Sequence, residues 1–465
     1  MGKIFTVSIL GCGSRGQEAY GKNFYNLPDK FKIESVCDIN PKQIELVQKA
    51  WGIPDEKCFL SADEFLKEKR SDALVIATQD RDHVDMCIRA LELGYDVLLE
   101  KPITPVKEDL YRLLDAQKKY GGKVVVCHVL RYAPAFVKIK EIVNSGKIGK
   151  LVCIDWIEQV AYWHQAHSFV RGNWHKEAET SPMILAKCCH DLDLLQYYVE
   201  SKCDTVYSVG DVAFFKKENQ PEGASDRCQT CKYKDECVYS AEILYVAKRE
   251  CDFDRLPLPK DKDERAYSAE RLYVAKRECD CDRLEPLSKD KDDARKQGWP
   301  FNVVDLSRPI TTESIRKAYE NSDYGKCVFA CDNDVVDNQT VLMKFKNGVT
   351  ANLVMTGFTA FPGRRMAFHG TLGEIEMDED KDYIRVSQYG KGTEILSVKE
   401  LMRDVLKEDF GHGGGDVMLV RDFYKALSGE ELETTLERSV ESHLMGLAAE
   451  ESRRTGNPCK VHENE

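Results

Sequence analysis

The sequence predicts an α/β protein: a doubly wound parallel sheet at the N-terminus, then an α+β domain with an open, mostly antiparallel sheet. Three observations carry this. Short apolar runs alternate with helix-period stretches through roughly the first 130 residues, the pattern that builds βαβ units. The first run breaks into a glycine-rich turn, Gly11-Cys12-Gly13-Ser14-Arg15-Gly16. Later runs alternate apolar and polar residues, as in a sheet buried on one face.

The elements follow in order. Residues 4–10 form the first apolar run, and residues 33–37 the second, ending at Asp38. Residues 73–78 are the third, residues 96–99 the fourth, stopping at Glu100-Lys101-Pro102, and residues 124–128 the fifth. Helical patterns occupy residues 17–26, 41–51, 62–69, 83–93 and 107–120. Residues 1–130 are therefore expected to be a dinucleotide-binding Rossmann domain, and residues 131–465 the second domain. There, residues 151–160, 205–215, 339–345, 349–355, 365–369, 374–377 and 383–388 read as strands, and residues 417–427 and 439–453 as helices.

The glycine turn has a physical reading. Gly11 permits a tight turn, Gly13 lets backbone approach a pyrophosphate, and Gly16 lets the helix pack closely on the strand. The helix N-terminus favours the anion. Asp38, about 20 residues on, is placed to accept a ribose 2′-hydroxyl hydrogen bond and to repel a 2′-phosphate. Ile39-Asn40 offers no arginine, so NAD is expected over NADP. The alternative is a glycine-rich turn with no ligand.

Composition excludes several classes. The 465 residues are 42% hydrophobic and 31% charged, an ordinary globular mixture. A formal net charge of −12 lacks the electrostatic footprint of a nucleic-acid binder. No apolar run approaches the ~18 residues of a spanning helix, so no membrane partner is expected. The eighteen cysteines have no secretory leader pattern ahead of them, which points to reduced thiols and a cytoplasmic location.

On these residues the chain resembles the Gfo/Idh/MocA family of NAD(P)-dependent oxidoreductases. The resemblance runs through Gly11–Gly16, Ile76-Ala77-Thr78 with His83 behind it, and Glu100-Lys101-Pro102. It continues at Arg131 and Pro134, and in RMAFHGTLG at residues 365–373. It covers nearly the whole chain except about residues 216–300. It implies cofactor contacts from Gly11, Gly13, Ser14, Arg15, Gly16, Asp38, Thr78, His83, Glu100 and Lys101. It also implies that Lys101 lies near the nicotinamide and the substrate hydroxyl, where an ammonium stabilises a developing alkoxide. The family's second-domain histidine matches His190 in KCCHDLD, a candidate general base with an ordinary pKa near 6.5. Many members carry aspartate four residues earlier. Here Ala186 stands there and Lys187 follows, so Lys187 either supplies the missing polar function or faces solvent.

Two segments are candidate substrate linings. Residues 161–174 hold Tyr162, Trp163, His164, His167, Phe169 and Trp174, with Arg171 among them; ring faces with polar rims suit a sugar. The alternative is a loop that uses its rings as core. In Gly411-His412-Gly413-Gly414-Gly415-Asp416, the glycines allow close backbone approach, and His412 and Asp416 add polar groups. The alternative there is a flexible link. Arg131 completes the substrate candidates.

Cys228-x-x-Cys231 with Cys237 beyond has metal-like spacing, and a structural zinc is the expected ion. A fourth ligand comes from elsewhere, with Cys188 or Cys189 as candidates, or the thiols are simply reduced. Near them lies a tandem duplication: residues 239–256 and 267–284 agree at sixteen of eighteen positions. One copy is expected to project outward.

The expected function is NAD-dependent oxidation of a hydroxyl on a sugar or sugar-derived polyol, in a homo-oligomer. A redox-neutral glycosidase with tightly bound NAD uses the same residues. A non-catalytic NAD-binding regulator is the reading from another class.

Overall fold

The computed structural model describes residues 2–247, 297–406, 411–432 and 434–462. The first sheet contains β1 (Phe5–Leu10), β2 (Phe31–Cys37), β3 (Cys58–Phe59), β4 (Ala73–Ile76), β5 (Asp96–Leu99) and β6 (Val124–Val126). Their order is β3-β2-β1-β4-β5-β6, and every pairing is parallel. Successive residues face opposite sides. Leu74 and Ile76 therefore join one apolar layer with Val84, Cys87, Leu110 and Leu113 of the helices His83–Glu92 and Lys107–Tyr120. Ala73 and Val75 join the other, with Tyr20, Phe24, Ile44 and Val47. The sheet is doubly wound, as expected.

The opposite layer has an unexpected member. Leu419, Val420 and Phe423 of the helix Gly415–Leu427 pack there, so a late segment of the chain covers the N-terminal sheet. The stretch expected as one helix over residues 17–26 is a π-helix, Arg15–Gly21, followed by a short α-helix, Lys22–Tyr25. The helix expected over residues 62–69 is only Ala62–Phe65, with the Ser61 side chain accepting from the Glu64 amide.

The second sheet holds β7 (Leu151–Gln159), β8 (Cys203–Asp211), β9 (Asn338–Phe345), β10 (Thr350–Thr356), β11 (Gly363–Gly370), β12 (Gly373–Asp378), β13 (Tyr383–Gln388), β14 (Gly392–Leu396) and β15 (Cys459–Lys460). The order is β14-β13-β12-β11-β7-β10-β9-β8-β15. Only β7 and β10 pair in parallel. One face is covered by the helices Cys189–Val199 and Leu436–Thr455, through Leu192, Leu195, Leu444 and Met445. A Cβ on Gly446 would lie 2.5 Å from Leu185 Cδ2 and 3.0 Å from Leu192 Cδ1, so a larger residue there would make these leucine side chains shift.

The strand expected to run to residue 215 stops at Asp211. Phe215 leaves the sheet for a third apolar cluster with Leu244, Tyr245, Phe301, Ile315, Tyr319 and Phe329. The start of the first repeat copy is thus core. The second copy, and the expectation that one copy projects outward, lie outside the described residues. Among the described residues, no helix is long and apolar enough to cross a membrane.

Candidate active site

The glycine turn is built by backbone crowding. Gly11 has φ +94°, and a Cβ there would sit 2.3 Å from the Ala77 carbonyl oxygen. A Cβ on Gly16 would fall 1.8 Å from the Gly11 carbonyl oxygen. Gly13 differs: nothing lies within 4 Å of its Cβ position, so the middle of the turn faces open space. Asp38 follows β2 with its carboxylate held by two amides, Cys12 N–H to Oδ2 at 2.7 Å and Asn40 N–H to Oδ1 at 2.8 Å. An open glycine cradle beside an anchored carboxylate fits the diphosphate and ribose of a dinucleotide. Ser14 stands at the N-cap of the helix that follows, without a side-chain cap bond. Thr78 Oγ1 points at Met86 Sδ, 3.6 Å away, and His83 Nδ1 lies 2.8 Å from the Pro102 carbonyl oxygen.

Arg15 is placed differently from the expected cofactor contact. Its Nε donates to Glu100 Oε1 at 2.5 Å, and its Nη2 donates to Asp416 Oδ1 at 2.8 Å and to the Tyr20 hydroxyl at 2.6 Å. The guanidinium is spent on tying the glycine turn to the Glu-Lys-Pro segment and to the helix Gly415–Leu427. Against burial, Arg15 and Lys101 hold the Glu100 carboxyl below its ordinary range. Against burial, Arg15 and His412 hold Asp416 far below its own. His412 Nδ1 lies 3.0 Å from Asp416 Oδ2, so His412 and Asp416 form a pair rather than two separate substrate groups. His412, Gly413 and Gly414 all have positive φ, and this sharp turn starts the helix.

Lys101 and His190 are brought together. Lys101 Nζ donates to the Ala186 carbonyl at 3.1 Å, at the position where an aspartate was absent from the sequence. His190 lies early on the helix Cys189–Val199 and is buried. Among the described residues neither of its ring nitrogens has a hydrogen-bond partner. Burial lowers its pKa well below the ordinary value, and Lys101, His412 and His128 push it the same way. The ring is therefore neutral at pH 7, with a lone pair free to accept a hydrogen bond. The His412 ring centre is 5.7 Å away and that of His128 6.1 Å. His443 Nδ1 donates to the Ser439 carbonyl at 2.7 Å, which leaves Nε2 to accept the Ile103 amide at 2.8 Å. The C-terminal helix thereby fixes the backbone beside Lys101.

Lys187 is not a loose cation. Its Nζ sits 3.3 Å from Glu158 Oε1 in a buried charge cluster that sequence reasoning missed. Arg364 lies opposite Glu158 in the β11–β7 register, with Nη2 2.9 Å from Glu158 Oε2 and Nε donating to Asp191 Oδ1 at 2.8 Å. The Trp156 indole N–H donates to the same Asp191 oxygen at 2.7 Å. Burial raises the Glu158 pKa to about 7, with Arg364 opposing and Asp191 adding. The residue after His190 is thus clamped from the sheet below. The only sequence signals were an acidic pair flanking Leu192 and an inward-facing glutamate in a strand.

Several substrate candidates are engaged elsewhere. Arg131 grips Asp193 with Nε and Nη2 at 2.5 and 2.7 Å, both groups buried, so it steadies the His190 helix. Tyr162 meets Tyr239 edge-on at 6.0 Å, and Trp163 stacks on His164 at 5.6 Å; both border the third cluster. Arg171 is buried against Cys228 and the Tyr239 carbonyl. Trp174 alone of these reaches the N-terminal side, its indole N–H donating to Asp80 Oδ1 at 3.3 Å. The rings of residues 161–174 mostly act as core: the helical turn Tyr162–His164 runs into a π-helix, Gln165–Arg171, that is buried along its whole length. Among the described residues, no group of three or more His, Cys, Asp or Glu side chains is arranged to hold a metal ion. Cys189 sits near Lys101, away from this duty, and Cys188 near Asp191 and Glu158.

Sheet order and glycine turn together define the class, a protein with a dinucleotide-binding N-terminal sheet. Comparison with known proteins agrees. Residues 5–128 match the profile of an oxidoreductase family with an NAD-binding Rossmann fold, and residues 136–251 match the GFO/IDH/MocA C-terminal domain. The chain belongs to the GFO/IDH/MocA family. It is 24% identical over 410 residues to YteT, named as an oxidoreductase, of Bacillus subtilis (strain 168), covering 85% of this chain and 82% of that protein. It is 25% identical over 211 residues to an inositol 2-dehydrogenase of Rubrobacter xylanophilus, spanning 44% of this chain and 55% of that enzyme. Among solved structures, levoglucosan dehydrogenase in complex with NADH and levoglucosan superposes with a TM-score of 0.66 at 15% identity, over 99% of this chain and 100% of that one. Scyllo-inositol dehydrogenase from Lactobacillus casei, with NAD(H) and scyllo-inositol, gives 0.61 at 15% identity over 99% of both chains. At such identities these structures share the fold.

Proposed function

We propose that this enzyme oxidises a secondary hydroxyl of a sugar or cyclic polyol with NAD as the hydride acceptor. The observation that carries this reading is His190, a buried, neutral imidazole beside Lys101 with both nitrogens unpartnered among the described residues. Bound against the Gly11–Gly16 turn and Asp38, NAD supplies a nicotinamide ring that accepts hydride from carbon. His190 takes the hydroxyl proton. The Lys101 ammonium stabilises the oxygen as negative charge develops on it. Asp193, held by Arg131, and Asp191, held by Arg364 and Trp156, keep the His190 helix in register, the rigid support a proton acceptor needs. The inositol and levoglucosan dehydrogenases among the relatives support the substrate class. Tyr207, Val209 and Leu342 stand exposed on the outer face of the second sheet, which supports a homo-oligomer.

The test follows both NADH absorbance and aglycone release across free sugars, inositols and aryl glycosides. Stoichiometric NADH from a free polyol or sugar is expected. His190→Gln should lower kcat by about 10²–10⁴ while NAD affinity stays within about threefold. Aglycone release without net NADH would replace this reading with the redox-neutral one. Unchanged turnover in His190→Gln would remove the proposed base.

A further inference from the structure

The third apolar cluster contains a set of thiols that the redox chemistry does not use. Cys228, Cys231 and Cys237 lie on one irregular run that folds back after each cysteine. The Cys231 amide donates to the Cys228 carbonyl at 3.1 Å, Cys237 to Tyr233 at 2.8 Å, and Ser240 to Cys237 at 2.8 Å. Such turns bring thiols three and six positions apart to one side of the run. A fourth thiol arrives from far along the chain. Arg227 and Lys326 form an antiparallel bridge, and the Cys327 amide donates to the Asp226 carbonyl at 2.9 Å, which sets Cys327 beside the run. All four cysteines line one small pocket of about 40 Å³.

Arg171 lines the same pocket and supplies the second observation. It is 3% exposed. Its Nε donates to the Lys326 carbonyl at 2.7 Å, and its Nη2 to the Tyr239 carbonyl at 2.7 Å and to Cys228 Sγ at 3.5 Å. Among the described residues its Nη1 is buried without a hydrogen-bond partner. Among the described residues it has no carboxylate at ion-pair distance, although a buried guanidinium without counter-charge is costly. Four neutral thiols cannot provide that charge. Four thiolates on a divalent cation carry a net charge of −2 and do.

We infer that Cys228, Cys231, Cys237 and Cys327 bind one structural zinc ion, with Arg171 as its neighbouring counter-charge. Cys327, rather than Cys188 or Cys189, is the fourth ligand. The sulphurs surround the pocket without being gathered on one point. Tetrahedral zinc with Zn–S near 2.3 Å would require them to close to about 3.8 Å from one another. Binding converts four thiols to thiolates and releases their protons. Four sulphur ligands leave no open position, so the ion staples a segment that has a small core and little regular structure.

The test uses the full chain, purified without chelators or a metal-affinity tag, with zinc per chain measured by plasma mass spectrometry. About one zinc is expected. Cys231→Ser and Cys327→Ser should hold less than about a tenth of that, whereas Cys331→Ser and Cys189→Ser keep it. Cys331 is the stringent control, because it lies close by, with its thiol donating to the Cys327 carbonyl at 3.3 Å. If the ligand variants are insoluble, wild-type chain stripped under reducing conditions and given cobalt should show thiolate-to-cobalt charge-transfer absorption. Three outcomes would overturn the site: reduced wild-type chain that takes up neither metal, a disulfide between any two of the four cysteines, or full zinc in Cys327→Ser.

Discussion

Asp38 is the residue on which the proposed cofactor preference rests. Its two carboxylate oxygens each accept a backbone amide, from Cys12 and Asn40, so its orientation is set before any ligand arrives. Asp38→Ala removes the acceptor for a ribose hydroxyl and strips both amides of their partner. A charged hydrogen bond of this kind is worth about 1.5–3 kcal/mol, so the Kd for NAD should rise by about 10–100-fold, and the preference for NAD over NADP should shrink. Calorimetric titration with both coenzymes checks this, and an unchanged NAD affinity would refute the role. Asp38, Lys101 and His190 were legible in the sequence because short motifs fix them relative to neighbouring backbone. The pairings of Arg131 and Arg171 were not legible, for the opposite reason. The partner of Arg131, Asp193, lies 62 positions away, and that of Arg171, Cys228, lies 57 away. The Glu158–Arg364 pair needs the β11–β7 register, which one strand's sequence does not contain.

The glycine turn is an element whose three glycines have separable duties. Alanine at Gly11 would meet the Ala77 carbonyl at 2.3 Å in a left-handed conformation, and alanine at Gly16 would meet the Gly11 carbonyl at 1.8 Å. Both obstacles are backbone, so both substitutions should lower stability by more than about 2 kcal/mol and abolish coenzyme binding together. Gly13→Ala meets nothing within 4 Å and should fold with stability changed by less than about 0.5 kcal/mol, while NAD binding weakens. Thermal melts alongside coenzyme titration separate the cases. Equal loss of stability in all three variants would contradict the assignment. Other elements show what patterning can reach. The buried strands of the parallel sheet were readable because they are uninterrupted apolar runs. β3 and β15 have two residues each, too few for any period, and β14 is mostly exposed. The helix Gly415–Leu427 was readable as a helix, but its place against Val7 and Val75 of the first sheet is a non-local fact.

The whole molecule is organised around a seam where both sheets and the last two long helices meet, and the seam is rich in neutral histidine. Burial is the first cause that lowers His128 and His190 well below 6.5, and it lowers His443 to about 3. Between that depressed range and pH 6.5 each of these rings binds a proton only when the chain unfolds. Stability therefore rises with pH across this window and is lost as pH falls, by about 1.4 kcal/mol per pH unit for each histidine. Glu158 acts in the opposite direction. Its folded pKa of about 7 exceeds the ordinary 4.5, so the folded state takes up the proton first and gains stability as pH falls from 7 toward 4.5. Burial raises Glu379 and Asp193 too, which adds to that opposition. Of the raised carboxylates Glu158 is the one placed near 7, so the histidines set the sign and stability rises with pH between pH 5 and 6. Denaturant melts from pH 5.0 to 7.5 should show stability climbing to a plateau just above pH 6.5. Removing one contributor with His443→Gln should flatten the slope by about 1.4 kcal/mol per pH unit, even if the variant is less stable at every pH. A slope near zero in the wild-type chain would mean that the histidines at the seam are not held neutral, and the proton acceptor assigned to His190 would lose its physical basis.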